Sequence, residues 1–127
     1  MIDFVEPKNE AYEFIGLVED VVFEISPEFL TERYHMIIVP VNKNWKNQHN
    51  WIPKNKLSTE HKVVEGTALA EYIHQLNSLG IYGETVNENM KNMIGKRFRF
   101  IKKRIGKMEQ KNSVWFPERL ESDVYGQ

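Results

Sequence analysis

Residues 12–25, YEFIGLVEDVVFEI, carry apolar side chains on both parities, Phe14, Val18 and Val22 against Ile15, Leu17, Val21, Phe23 and Ile25. Their Val, Ile, Phe and Tyr content predicts one long strand. Apolar residues on both faces predict a bulge or coil that carries this strand between two halves of a curved sheet, with Gly16 as the bend. Ser26-Pro27-Glu28 breaks the pattern, and Arg33 to Val41, RYHMIIVPV, predicts a second strand in which Pro40 marks an end or an edge. The polar stretch NKNWKNQHNWIPKNKLS begins as a loop, and Trp51 to Leu57 predicts a short third strand.

From Gly66 the period becomes helical. Leu69, Tyr72, Ile73, Leu76 and Leu79 fall on one face of GTALAEYIHQLNSLG, with Thr67 as its cap and Gly80 as its stop. Thr85 and Glu88 have capping-box spacing, which predicts a short helical turn reaching Met93 and ended by Gly95. Ile94 to Ile105 and Ser113 to Leu120 predict two further strands, the last shortened by Pro117 or placed by it on an edge. The tail ESDVYGQ reads as frayed.

A long first strand with a glycine near its curve, a helix between strands three and four, and a basic fourth strand followed by a short fifth make an order that resembles the OB-fold. The resemblance lies in element order over about residues 10–120, not in a signature motif. It implies a mainly β, five-stranded barrel with one α-helix between strands 3 and 4, of the kind used by single-stranded nucleic-acid-binding proteins. A different small barrel, or an α+β sandwich with the helix on one sheet face, fits the same order.

With 127 residues and no visible linker, residues 1–127 read as a single domain. The absence of cysteine removes disulfides, thiolate ligands and thiol nucleophiles, and fits a cytoplasmic location. The acidic amino terminus lacks the pattern of a signal peptide, and no apolar run is long enough to predict a membrane span.

The near-neutral total conceals strong polarity. Between Met93 and Lys111 eight cations face one acid, a net of +7, whereas residues 1–32 hold nine acids and one lysine, a net of −8. Clustered cations with interleaved aromatics are the footprint of a surface that meets a polyanion. A solvated strand face followed by a polar turn would give the same run.

The resemblance implies ligand contact on strands two and three and in the loops joining strands one to two and four to five. The residues at those places are Arg33, Tyr34 and His35, then Trp51, Lys54 and Lys56, then Lys102, Lys103, Arg104 and Lys107 in the last turn. Trp45 and Trp51 lie in an acid-free, lysine-bearing stretch where an indole could stack on a base or plug the barrel. Phe98 and Phe100 share parity with Ile94 and are expected in the core, which turns Arg97 and Arg99 outward to phosphates or to the acids of the first strand. The first loop, SPEFLTE, is acidic where a nucleic-acid groove would prefer cations.

His35, His49, His61 and His74 lack metal-ligand spacing, and there is no phosphate-binding glycine loop or nucleophile elbow, so neither a metal nor another cofactor is expected. The sequence therefore points to a non-enzymatic module of DNA replication or repair, binding single-stranded nucleic acid (DNA over RNA) with little sequence preference. The alternative is a protein-interaction or self-assembly module with oppositely charged faces. A small hydrolase using Glu13, Glu19, Asp20 or Glu24 is a third class, for which no spacing selects a pair.

Overall fold

The structure is a computed structural model, and it describes residues 1–2, 12–106 and 112–122. Five strands, β1 (Glu13–Ile25), β2 (Glu32–Pro40), β3 (Gln48–Pro53), β4 (Arg97–Ile105) and β5 (Asn112–Leu120), form one antiparallel sheet in the order β3-β2-β1-β4-β5. Two short helices, α1 (Ala68–Ser78) and α2 (Val86–Lys91), lie between β3 and β4. The resemblance implies one helix here; the second, α2, is the short turn that the spacing of Thr85 and Glu88 predicts, and it ends at Lys91. The third strand begins three residues earlier than its apolar run predicts, since its outward residues are His49 and Trp51 and the signal there is not aliphatic.

The two-sided apolar pattern of β1 has a local cause. Val18 pairs with Ile38 and Asp20 with Ile37, so Glu19 is an extra residue, and the buried parity changes from Gly16 and Val18 to Val21 across it. The Asp20 carboxylate accepts the Val21 N–H at 2.9 Å within this bulge. Gly16 serves a different purpose from the bend expected of it. A β-carbon there would stand 2.6 Å from Ile38 Cγ2 and 2.8 Å from the Phe14 ring, so the glycine permits close packing across β1 and β2.

Both helix caps follow their sequence signals. The Thr67 hydroxyl accepts the Ala70 N–H at 3.3 Å and the Thr85 hydroxyl accepts the Glu88 N–H at 3.0 Å. At the end of α1, Gly80 adopts φ +86° and the N–H groups of Gly80 and Ile81 return to the carbonyls of Asn77 and Leu76, with Ile81 buried behind them. Leu69, Tyr72 and Leu76 enter the core while Ile73 and Leu79 cover its rim. Phe98 and Phe100 are fully buried beside them, as their parity predicted. Burial of side chains of this size contributes roughly 1.5–3 kcal/mol each.

No backbone ladder joins β3 to β5, so the sheet is not a closed barrel. Side chains span the gap instead. The buried Asn50 amide accepts the Trp115 N–H at 2.9 Å and donates to the Trp115 carbonyl at 2.9 Å, acting on β5 as a neighbouring strand would. Tyr72 of α1 donates to the same carbonyl at 3.0 Å, and Gln75 donates to the carbonyls of Pro117 and Glu118 at 2.7 and 3.1 Å. Burial raises the Tyr72 phenol well above its ordinary range, an effect that the bond to Asn50 opposes, and so keeps it a neutral donor. Pro117, which has no N–H to offer, occupies β5 without shortening it.

Candidate nucleic-acid interface

Strand alternation decides which candidate residues reach the surface. On β2, Tyr34, Met36 and Ile38 point into the core, leaving Arg33, His35 and Ile37 on the other face. On β3, Asn50 and Ile52 are buried, and His49 and Trp51 face out. His35 pairs with Trp51 and Ile37 with His49 across the two strands. Three rings consequently meet: His35 and Trp51 stack with centroids 5.0 Å apart, His49 and Trp51 at 5.7 Å, and each pair is within 17° of parallel. His35 Nε2 and His49 Nδ1 are 2.8 Å apart, within hydrogen-bond distance.

The Arg33 guanidinium lies 5.6 Å from the Trp51 ring centroid and its Nε donates to Glu24 at 2.7 Å. Glu24 also stands 3.7 Å from His35 Nδ1. This carboxylate orients both groups on their solvent side. Trp51 remains 45 % exposed while in contact with His35, His49 and Arg33.

The remaining candidates divide sharply. Tyr34 does not reach the surface: it is buried against Phe23, and its phenol is pushed up to about 12 by burial first, then by Glu60 and Glu32. Lys54 is tied to Glu32 at 2.9 Å and to the Ser58 carbonyl at 2.7 Å, so it fastens the segment after β3. Arg99 bonds Glu13 at 2.6 Å and lies 3.4 Å from Glu118, and the hydrogen bond to Glu13 raises its pKa further. Half-buried Arg97 has a buried Nε without a partner. Lys56 is exposed, and so are Lys102, Lys103 and Arg104. The ammonium of Lys102 lies 5.7 Å from the Trp115 centroid and that of Lys103 4.5 Å from the Phe116 centroid. Lys107 lies outside the described residues.

Trp45 sits apart from Trp51, half-buried in the β2–β3 connection and tilted against Phe14 at 5.6 Å. Phe14 also meets the Trp115 ring edge-on at 4.7 Å. Asn44, Trp45, Lys46, Gln48 and Trp115 together line a hollow of about 350 Å³. His49, Lys46 and Trp115, which the structure gathers beside Trp51 and Trp45, were not among the candidate residues taken from the sequence. The alternation His49-x-Trp51 was a usable signal for the first, whereas the meeting of Trp45 with Trp115 depends on tertiary folding alone.

Among the described residues no three histidine or acidic side chains are gathered to hold a metal ion, and no helix is long and apolar enough to cross a membrane. Comparison with known protein families, with curated proteins and with solved structures finds no match to this chain.

Proposed function

We propose that the protein binds single-stranded nucleic acid, without catalysis and with little sequence preference, on the outer face of β2 and β3. The observation that carries this reading is the platform of Trp51, His35 and His49, half-open to solvent and flanked by Arg33. An exposed indole stacks on any unpaired base, contributing roughly 1–3 kcal/mol. The exposed cations Lys56, Lys102, Lys103 and Arg104 supply the sequence-independent phosphate attraction. The strand order β3-β2-β1-β4-β5 and the Asn50 bridge to β5 support a partly open barrel of OB type, in which this pair of strands would be the ligand face.

Titration with single-stranded oligonucleotides, of thymidine and of uridine, at two salt concentrations tests the reading. Single strands should quench tryptophan fluorescence far more than duplex of equal length, and Trp51→Ala should remove about 1–3 kcal/mol of binding. Charge reversal of Lys102, Lys103 and Arg104 to Glu should weaken all sequences alike and flatten the salt slope by about 0.7 for each phosphate no longer neutralised. Tight binding by the Trp51 variant, or no binding by the parent at low salt, would overturn the proposal.

One observation favours a second reading, a protein-docking module. The turn between β1 and β2 exposes Ile25, Phe29 and Leu30 beside Glu24 and Glu28, an apolar tip with an acidic surround. In that case a basic partner would compete with nothing on the Trp51 face.

A further inference from the structure

We infer that the hollow between the β2–β3 connection and β5 is a second base-binding position, taking one unstacked nucleobase of the strand with its phosphate outside. The inference rests on the nucleic-acid reading but uses none of the platform residues. Its volume of about 350 Å³ is near the lower end of ligand pockets, roughly 300–1,000 Å³, and suits a single ring system. Two of its walls are indoles, Trp45 and Trp115.

Both walls are fixed before any ligand arrives. Phe14 braces Trp45 at 5.6 Å and Trp115 at 4.7 Å, and the Trp115 backbone is held in both directions by Asn50. A preformed slot spares the ordering cost that a mobile aromatic would carry. The polar lining matches a base edge and a phosphate: Asn44 and Gln48 carry amides and Lys46 an ammonium, and among the described residues no carboxylate lines the hollow. Gln48 commits an N–H to the Lys46 carbonyl at 3.0 Å, which leaves its amide oxygen to accept from an exocyclic amine. Lys102, over the Trp115 ring at 5.7 Å, places a further positive charge beside the same wall. The platform offers an open face to any base, whereas this hollow meets a base at its edges. It is the position at which the protein would prefer one base over another.

The probe is a set of nucleoside monophosphates, observed through the three indole N–H signals in nitrogen–proton NMR spectra. At millimolar concentration the Trp45 and Trp115 signals should move, unequally for adenine and uracil, and ribose phosphate without a base should leave them still. The two shifts should persist in Trp51→Ala. Lys46→Glu, on an exposed side chain, should lower mononucleotide affinity about tenfold, because attraction to the phosphate becomes repulsion. Immobile Trp45 and Trp115 signals, with an oligonucleotide moving Trp51, would overturn the hollow and leave the platform standing. Mononucleotide shifts without any response to oligonucleotide would keep the hollow as a mononucleotide site and overturn the strand-binding reading.

Discussion

The inner and outer faces of the β2–β3 ribbon are made of alternate residues of the same two strands, yet they are held by unlike forces. Inward, Tyr34, Met36, Ile38, Asn50 and Ile52 are buried to within 2 % exposure, and Asn50 is the polar member whose amide joins β3 to β5. Outward, Arg33, His35, His49 and Trp51 touch one another and Glu24, and nothing in the core depends on them. Because a strand changes face at every residue, the core and the proposed binding face can be altered separately by neighbours one position apart. Residues 50 and 51 are the sharpest such pair.

The largest test of this contrast is Asn50→Ala. It strips the Trp115 N–H and C=O of their cross-gap partner and takes one bond from Tyr72, so it should cost about 2–4 kcal/mol in urea unfolding. A loss below about 1 kcal/mol would mean that water replaces the amide without penalty and that the inner face is less demanding than its burial implies.

Next in size is an alkaline effect carried by Tyr34. Its pKa is 10.0 when unfolded and about 12 when folded, so the folded state retains the phenolic proton more strongly. The associated stability is complete below pH 10 and is lost as pH rises towards about 12. The loss should be on the order of 2 kcal/mol, with Tyr72 adding in the same direction. Tyr34→Phe should lessen that decline and, because the buried hydroxyl has no partner, change stability at neutral pH by under about 1 kcal/mol. An unchanged alkaline profile in this variant would remove Tyr34 from the account.

The smallest expected effect lies on the outer face. Trp51→Ala should cost about 1 kcal/mol of unfolding stability, the worth of its contacts with His35, His49 and Arg33. A fall of several kcal/mol in that variant would abolish the contrast and make the platform a structural cover.

Much of the architecture was legible because it is written locally. Thr67, Gly80 and Thr85 place helix ends through short-range geometry, and the parity of Phe98 and Phe100 sorts the core from the surface. The mixed parity of β1 announced a bulge, but its position at Glu19 was hidden, since Gly16 is the more conspicuous residue and answers to crowding by Ile38. The candidate site was less legible. Tyr34 and Lys54 have the composition of binding residues, yet strand parity buries the first, and Glu32 with the Ser58 carbonyl engages the second. Trp45 and Trp51 are alike in local sequence, and only Phe14 and Trp115, far away along the chain, make one a wall and the other a platform. Asn50 gave no sign of its role, because its partner is 65 residues distant.

Asn50 bears on how copies of the chain behave at high concentration. The strands that end the sheet, β3 and β5, meet at the Asn50 amide, which engages both the N–H and the C=O of Trp115 on β5. An open sheet ordinarily invites edge-to-edge growth with a neighbouring molecule. Here Asn50, with Tyr72 and Gln75 of the helix beside it, occupies backbone groups of β5 that a neighbouring strand would otherwise pair. Loosening that fastening would free those groups on β5 for another strand, so light scattering of the Asn50→Ala variant should show association before circular dichroism shows any loss of secondary structure.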